Sequence, residues 1–109
     1  MFPIEAIKMD IQINIEDVQL IMGDQFSVAF QACMDSTYCN HCQENCPSVS
    51  IEKLWLNHLG DVIVEGRCEQ CKGKTNRYIE TGENPDSYDQ AMAIREIQID
   101  LLKCYNPRF

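Results

Sequence analysis

The polarity pattern changes period several times along the chain. Met9, Ile11, Ile13 and Ile15 alternate with Asp10, Gln12, Asn14 and Glu16, a period of two that predicts a half-buried strand. Ile4, Ile7, Ile11 and Ile15 also keep helical spacing, so residues 4–16 read as strand or helix. Their β-branched isoleucines favour the strand. From Asn14 the period lengthens: Ile15, Val18, Met22, Phe26, Ala29 and Cys33 recur every three or four positions. Asn14 suits a helix cap, and Glu16 and Asp17 suit its first turn, where backbone N–H groups favour acids. The pattern predicts one helix, or two joined near Gly23, ending near Asp35.

The middle of the chain returns to a strand pattern. Residues 50–57 (SIEKLWLN) and 61–67 (DVIVEGR) are rich in β-branched and bulky apolar side chains, and HLG (58–60) between them is a hairpin signal. Val62 and Val64 share a face with Cys68, with Leu54 and Leu56 as cross-strand partners. Trp55 is expected on the same strand face as Ile51. Residues 74–81 (KTNRYIET) predict a third strand after the turn at Lys72-Gly73. Beyond the break at 81–86, Ser87 and Gln90 fit a capping box. Ala91, Ile94, Ile97, Leu101 and Cys104 form an apolar stripe, and the helix is expected to stop before Asn106-Pro107. The fold class is α+β: a small antiparallel sheet flanked by an N-terminal and a C-terminal helix. With 109 residues, the chain is expected to form a single domain over 1–109. A chain this short buries about 60–70% of its unfolded surface, so a structural metal would support its core.

Cysteine content changes the picture most. There are seven cysteines, an odd number that suits a full disulfide framework poorly. The N-terminal MFPIEAIKMDIQ carries acids and no long apolar run, unlike a signal peptide. No stretch approaches the roughly 20 apolar residues of a membrane span. A reducing cytoplasmic location is therefore expected, where clustered cysteines point to metal or redox chemistry. Cys39-x2-Cys42 and Cys68-x2-Cys71 stand 25 residues apart. A two-residue spacer lets both sulfurs of a pair point inward from one tight turn whose amides can donate to them. Two such turns, joined by a hairpin, supply four ligands at about 2.3 Å from a tetrahedral zinc. Gly73, two positions after Cys71, is expected to provide the positive φ that such turns use.

On these motifs, residues 39–81 resemble the zinc-ribbon proteins: first knuckle, hairpin, second knuckle, third strand. The resemblance implies a structural zinc on Cys39, Cys42, Cys68 and Cys71. No glycine follows Cys42 closely, a departure from the ribbon pattern. Cys46 and His41 are alternative ligands. Cys33 and Cys104 fall on apolar helical stripes and read as buried small hydrophobes. Cys39-x2-Cys42-x3-Cys46-Pro47 also resembles part of a ferredoxin motif, with Ser36 where a further cysteine belongs, which makes an iron–sulfur cluster the alternative cofactor; Cys68 or Cys71 would then be the fourth ligand. Thiol–disulfide exchange is a further alternative, but Cys68 precedes a strand pattern and lacks a helix N-terminus to lower its pKa.

No motif spells out a reaction. His58 sits alone in the hairpin turn, and the sequence contains neither a phosphate-binding glycine loop nor a GxSxG turn. A non-catalytic role is favoured, with two partner classes. One is a protein partner, met through the acidic helices, through Trp55, or through Tyr105 and Phe109. The other is nucleic acid, met through Arg67, Lys72, Lys74, Arg77 and a stacking Tyr78. Net charge is −8, which opposes phosphate backbones at long range and puts the protein partner first.

Overall fold

The computed structural model describes residues 9–46 and 48–105. The expectations resting on Ile4, Ile7, Pro47, Asn106, Pro107, Phe109 and the Tyr105 side chain lie outside what is described.

The fold is α+β. Four antiparallel strands lie in the order β1 (Ile11–Ile13), β4 (Val49–Leu56), β5 (Val62–Cys68) and β6 (Lys74–Ile79). A separate two-stranded ribbon pairs β2 (Tyr38–Cys39) with β3 (Glu44–Asn45). The strand alternative for the N-terminal segment holds at Ile11–Ile13, whose burial alternates with the pleat.

Helices cover one face of the sheet. α1 (Ile15–Met22) starts at a reciprocal cap, in which Asn14 Oδ1 accepts from the Asp17 amide at 2.9 Å and Asp17 Oδ2 accepts from the Asn14 amide at 3.2 Å. Past Met22 the helix tightens into a 3₁₀ turn (Gly23–Gln25), widens into a π-helical turn (Phe26–Phe30) and ends as α2 (Gln31–Asp35). The change of pitch alters which residues go deepest. Phe30 and Met34 are buried, while Ala29 and Cys33 of the expected stripe are half-buried. The rings of Phe26 and Phe30 stack at 5.0 Å.

α3 (Pro85–Tyr105) begins two residues upstream of the Ser87 cap expected from sequence. Asn84 caps instead: its Oδ1 accepts from the amides of Asp86 at 3.1 Å and Ser87 at 3.3 Å. Pro85 takes the first helical position, where no N–H is needed. The expected stripe on α3 also needs correction. Ala91, Ile94 and Ile99 are buried, but Ile97 and Leu101 are exposed and so is Cys104. Steps of three lag behind the helical repeat, so Ile97 points about 120° away from Ala91. Arg95 is buried instead, donating from Nη1 to the Leu56 carbonyl at 3.1 Å; burial lowers its pKa, and Asp10 opposes that shift.

The core lies between the helices and the sheet. Ile13, Leu54, Leu56, Val62, Val64 and Ile79 from the strands meet Val18, Ile21, Phe30, Met34, Ala91 and Ile94 from the helices. Leu54 faces Val64 and Leu56 faces Val62 in the register, as the polarity pattern predicts. At the hairpin tip Asn57 Oδ1 accepts from the amides of Leu59 (3.0 Å) and Asp61 (2.9 Å). Gly60 there takes φ 84°, a conformation that favours glycine.

One irregularity decides which end of the hairpin does what. Ile51 lies opposite Gly66, yet Lys53 lies opposite Glu65, so Glu52 is an extra residue. This bulge reverses the alternation of β4. Ile51 therefore leaves the face of Trp55, contrary to the uninterrupted pattern, and Val49 turns to the side of its partner Cys68. A Cβ on Gly66 would sit 2.5 Å from the Ser50 carbonyl oxygen, a backbone atom that cannot swing aside. Gly66→Ala is expected to destabilise the protein by about 1–3 kcal/mol, read as a lower urea midpoint at full metal loading.

Candidate metal centre

Each CxxC pair sits in a turn closed by the same hydrogen bond. The Gln43 amide donates to the Cys39 carbonyl at 2.8 Å, and the Lys72 amide donates to the Cys68 carbonyl at 2.8 Å. The residue after each second cysteine has positive φ: 56° at Gln43 and 65° at Lys72. This corrects the role expected for Gly73, because the left-handed position falls one residue earlier. It also explains why the first knuckle needs no glycine, since Gln43 takes the strained position. Gly73 serves another purpose. A Cβ there would run into the ring of His41, which lies across the two knuckles.

The flanking elements hold the knuckles in place. The β2–β3 ribbon brackets the first knuckle, pairing Cys39 with Glu44. Thr37, fully enclosed, ties it to α2 through a hydroxyl bond to the Cys33 carbonyl at 2.9 Å. The second knuckle continues from the end of β5, where the Cys68 amide donates to the Gly73 carbonyl at 2.9 Å.

The two turns bring four sulfurs together. Cys39 Sγ and Cys71 Sγ are 3.4 Å apart, and Cys42 Sγ and Cys68 Sγ are 3.9 Å apart. All four sulfurs lie within 4.8 Å of one another. A tetrahedron with metal–sulfur bonds of about 2.3 Å has edges of about 3.8 Å, so the donors fit one ion such as zinc. Four close cysteines beside a small antiparallel sheet form a zinc-ribbon-like metal site.

Backbone amides point at the sulfurs, from Cys42 to Cys39 Sγ at 3.4 Å and from Gly73 to Cys71 Sγ at 3.4 Å. They make the donors unequal. The Cys42 amide lowers the pKa of Cys39, against the effect of burial. The Cys71 amide, with that of Gln70, draws Cys68 down to about 6, again against burial. Sharing of protons with Cys71 and burial raise Cys42. At Cys71 the Gly73 amide favours the thiolate, but a proton shared with Cys39 and burial prevail and its pKa is raised. Backbone amides thus favour the thiolate at the first cysteine of each knuckle, while proton sharing and burial favour the thiol at the second.

The remaining candidates fall around this group. Cys46 is 3% exposed and packs with Cys39 and Cys68, but it lies outside the set of four mutually close sulfurs. Burial, with Cys68 next in effect, pushes its thiol up to about 12, which makes it a neutral neighbour. Ser36, at the position a ferredoxin motif would fill, bonds to the Cys33 carbonyl at 3.2 Å. A tight turn, not a helix, follows Cys68. The basic residues separate by strand parity. Arg67 and Lys74 are register partners on the open face, with Tyr78 further along it, whereas Arg77 pairs with Val64 on the helix-covered face and reaches Ser36 at 3.5 Å. Arg67 pairs with Glu52 at 3.3 Å and donates to the Lys72 carbonyl at 2.9 Å. The bulge, the Gln43 and Lys72 conformations and the His41–Gly73 contact leave no mark in the polarity pattern or the cysteine spacing.

No protein-family model, curated protein or solved structure matches this chain. No helix among the described residues is long and apolar enough to cross a membrane.

Cys71→Ser is expected to lower bound metal and thermal stability together, with Tm falling by about 10 °C or more, because the binding energy of a structural metal is folding energy. Cys104→Ser is expected to leave both unchanged; elemental analysis and thermal melts read the pair. Metal loading near pH 7 is expected to release the protons held by Cys42 and Cys71, measurable with a weakly buffered indicator dye. Acidification runs the exchange backwards, so retention of the ion falls as pH drops.

Proposed function

We propose that this protein is a zinc-stabilised interaction module: the ion closes one end of the ribbon, and the protein acts by presenting a rigid surface to a protein partner. The observation that carries this reading is the closed donor set, four sulfurs within 4.8 Å of one another. A catalytic zinc keeps one position for water or substrate, whereas four thiolates saturate a tetrahedral ion. Desolvated thiolates at this spacing repel one another strongly unless a cation sits among them. The close sulfur spacing favours a single ion over a cluster, whose inorganic sulfides would separate the cysteines further.

Nucleic-acid binding is the second reading, supported by Lys74 and Tyr78 on the same open face of β6. The engagement of Arg67 with Glu52 and the placement of Arg77 on the other face put it behind. Elemental analysis of untagged protein tests the metal. One zinc per chain is the expected result, and iron in its place would overturn it. Mixed-sequence oligonucleotides at low and moderate salt test the second reading. Steeply salt-dependent affinity, lost in the double variant Lys72→Glu with Lys74→Glu, would put nucleic acid first.

A further inference from the structure

The sheet face turned away from the helices is not featureless. Three register partners form a row across it: Trp55 on β4, Ile63 on β5 and Tyr78 on β6. Adjacent strands lie about 4.8 Å apart, so the two aromatic residues stand roughly 10 Å apart with one strand between them. Ile63 forms the floor and is 7% exposed, while Tyr78 is 56% exposed. The space between has a volume of about 330 Å³ and is completed by Asp10, Glu65 and Asn76.

The lining of this slot, two aromatic residues and two carboxylates, has the composition that suits a cation. A cation near an aromatic face is attracted by the ring quadrupole. Trp55 already meets one cation, since Lys53 Nζ lies 5.9 Å from its ring centroid. Glu65 fixes the indole by accepting from Trp55 Nε1 through Oε2 at 3.0 Å. Glu65 makes no ion pair among the described residues. Asp10 adds a second carboxylate, and Asn76 adds an amide. The charge of −8 on the chain attracts a basic partner at long range. Carboxylates lining the slot disfavour a phosphate there.

We propose that this slot receives an arginine side chain from a basic peptide segment of a partner protein, its guanidinium between Trp55 and Tyr78 and its N–H groups on Glu65. A planar guanidinium stacks on aromatic rings and matches a carboxylate better than an ammonium does. The proposal rests on the interaction reading above and specifies its partner chemistry.

Trp55 is the only tryptophan, so intrinsic fluorescence reports the slot directly. The zinc-loaded protein is titrated with a short Gly/Ser peptide containing two arginines, with its lysine and neutral counterparts, and with a mixed-sequence oligonucleotide. A saturable change with the arginine peptide is expected, weaker with lysine and absent with the neutral peptide. Glu65→Gln is expected to weaken it about tenfold, and Tyr78→Ala, which truncates an exposed side chain, more than tenfold. No saturable change up to millimolar arginine peptide at low salt would overturn the proposal. Equal response to the neutral peptide, or preference for the oligonucleotide, would also overturn it. A protein partner retained at full affinity by Trp55→Ala and Glu65→Gln would remove the slot while leaving the interaction reading intact.

Discussion

Four sulfurs held this close together are stable as thiolates only around a positive ion, and that requirement organises one end of the molecule. The packed group there consists of Cys39, Cys46 and Cys68, with Cys42 and Val49 against it. Among the described residues, it contains no large hydrocarbon side chain apart from Val49, so hydrophobic burial there is a poor substitute for an ion. Backbone amides reduce the cost of the charge before the ion binds, and they do so unequally within each knuckle. A shared electrostatic centre is also what couples residues separated by the whole β4–β5 hairpin.

The sheet serves two purposes because its two faces are kept distinct. One face is sealed by α1, α2, α3 and the turns between them, and it carries the apolar core. The other face keeps Trp55, Tyr78 and Glu65 in a fixed row. The bulge at Glu52 permits this division. Without the reversed alternation, Val49 would point to the open face and the sulfur group would lose this branched apolar neighbour.

Much of this was legible from residue order. Runs of β-branched and bulky apolar residues located β4 and β5, the turn at Lys72-Gly73 located β6, and the pairing of Leu54 with Val64 and of Leu56 with Val62 follows from keeping bulky side chains on one face. The cysteine spacings identified the four clustered sulfurs because ligand chemistry restricts residue type and turn length together. The failures have particular causes. Asn84 displaced Ser87 as cap because an asparagine before a proline satisfies the free amides of a helix start at least as well. Ile97, Leu101 and Cys104 went astray because a stripe counted in threes drifts around the helix. The bulge is invisible to polarity counting because it is a feature of backbone register, and beside it the backbone comes close to Gly66. Gln43 and Lys72 adopt a backbone conformation uncommon for their residue types, which a search for glycine passes over.

The hairpin has one end in hydrocarbon and the other in sulfur, joined through an interrupted ladder. Leu56 and Val62 anchor the first end, and Val49 and Cys68 the second. Chelation of the ion would therefore fray the strands inward from the knuckles, with the break in pairing at Glu52 as the natural place for the fraying to stop. Trp55 and Ile63 lie on the protected side of that break. The two ends of the hairpin thus rest on different physics, so a loss at the sulfur end leaves the hydrocarbon contacts beneath the aromatic row in place.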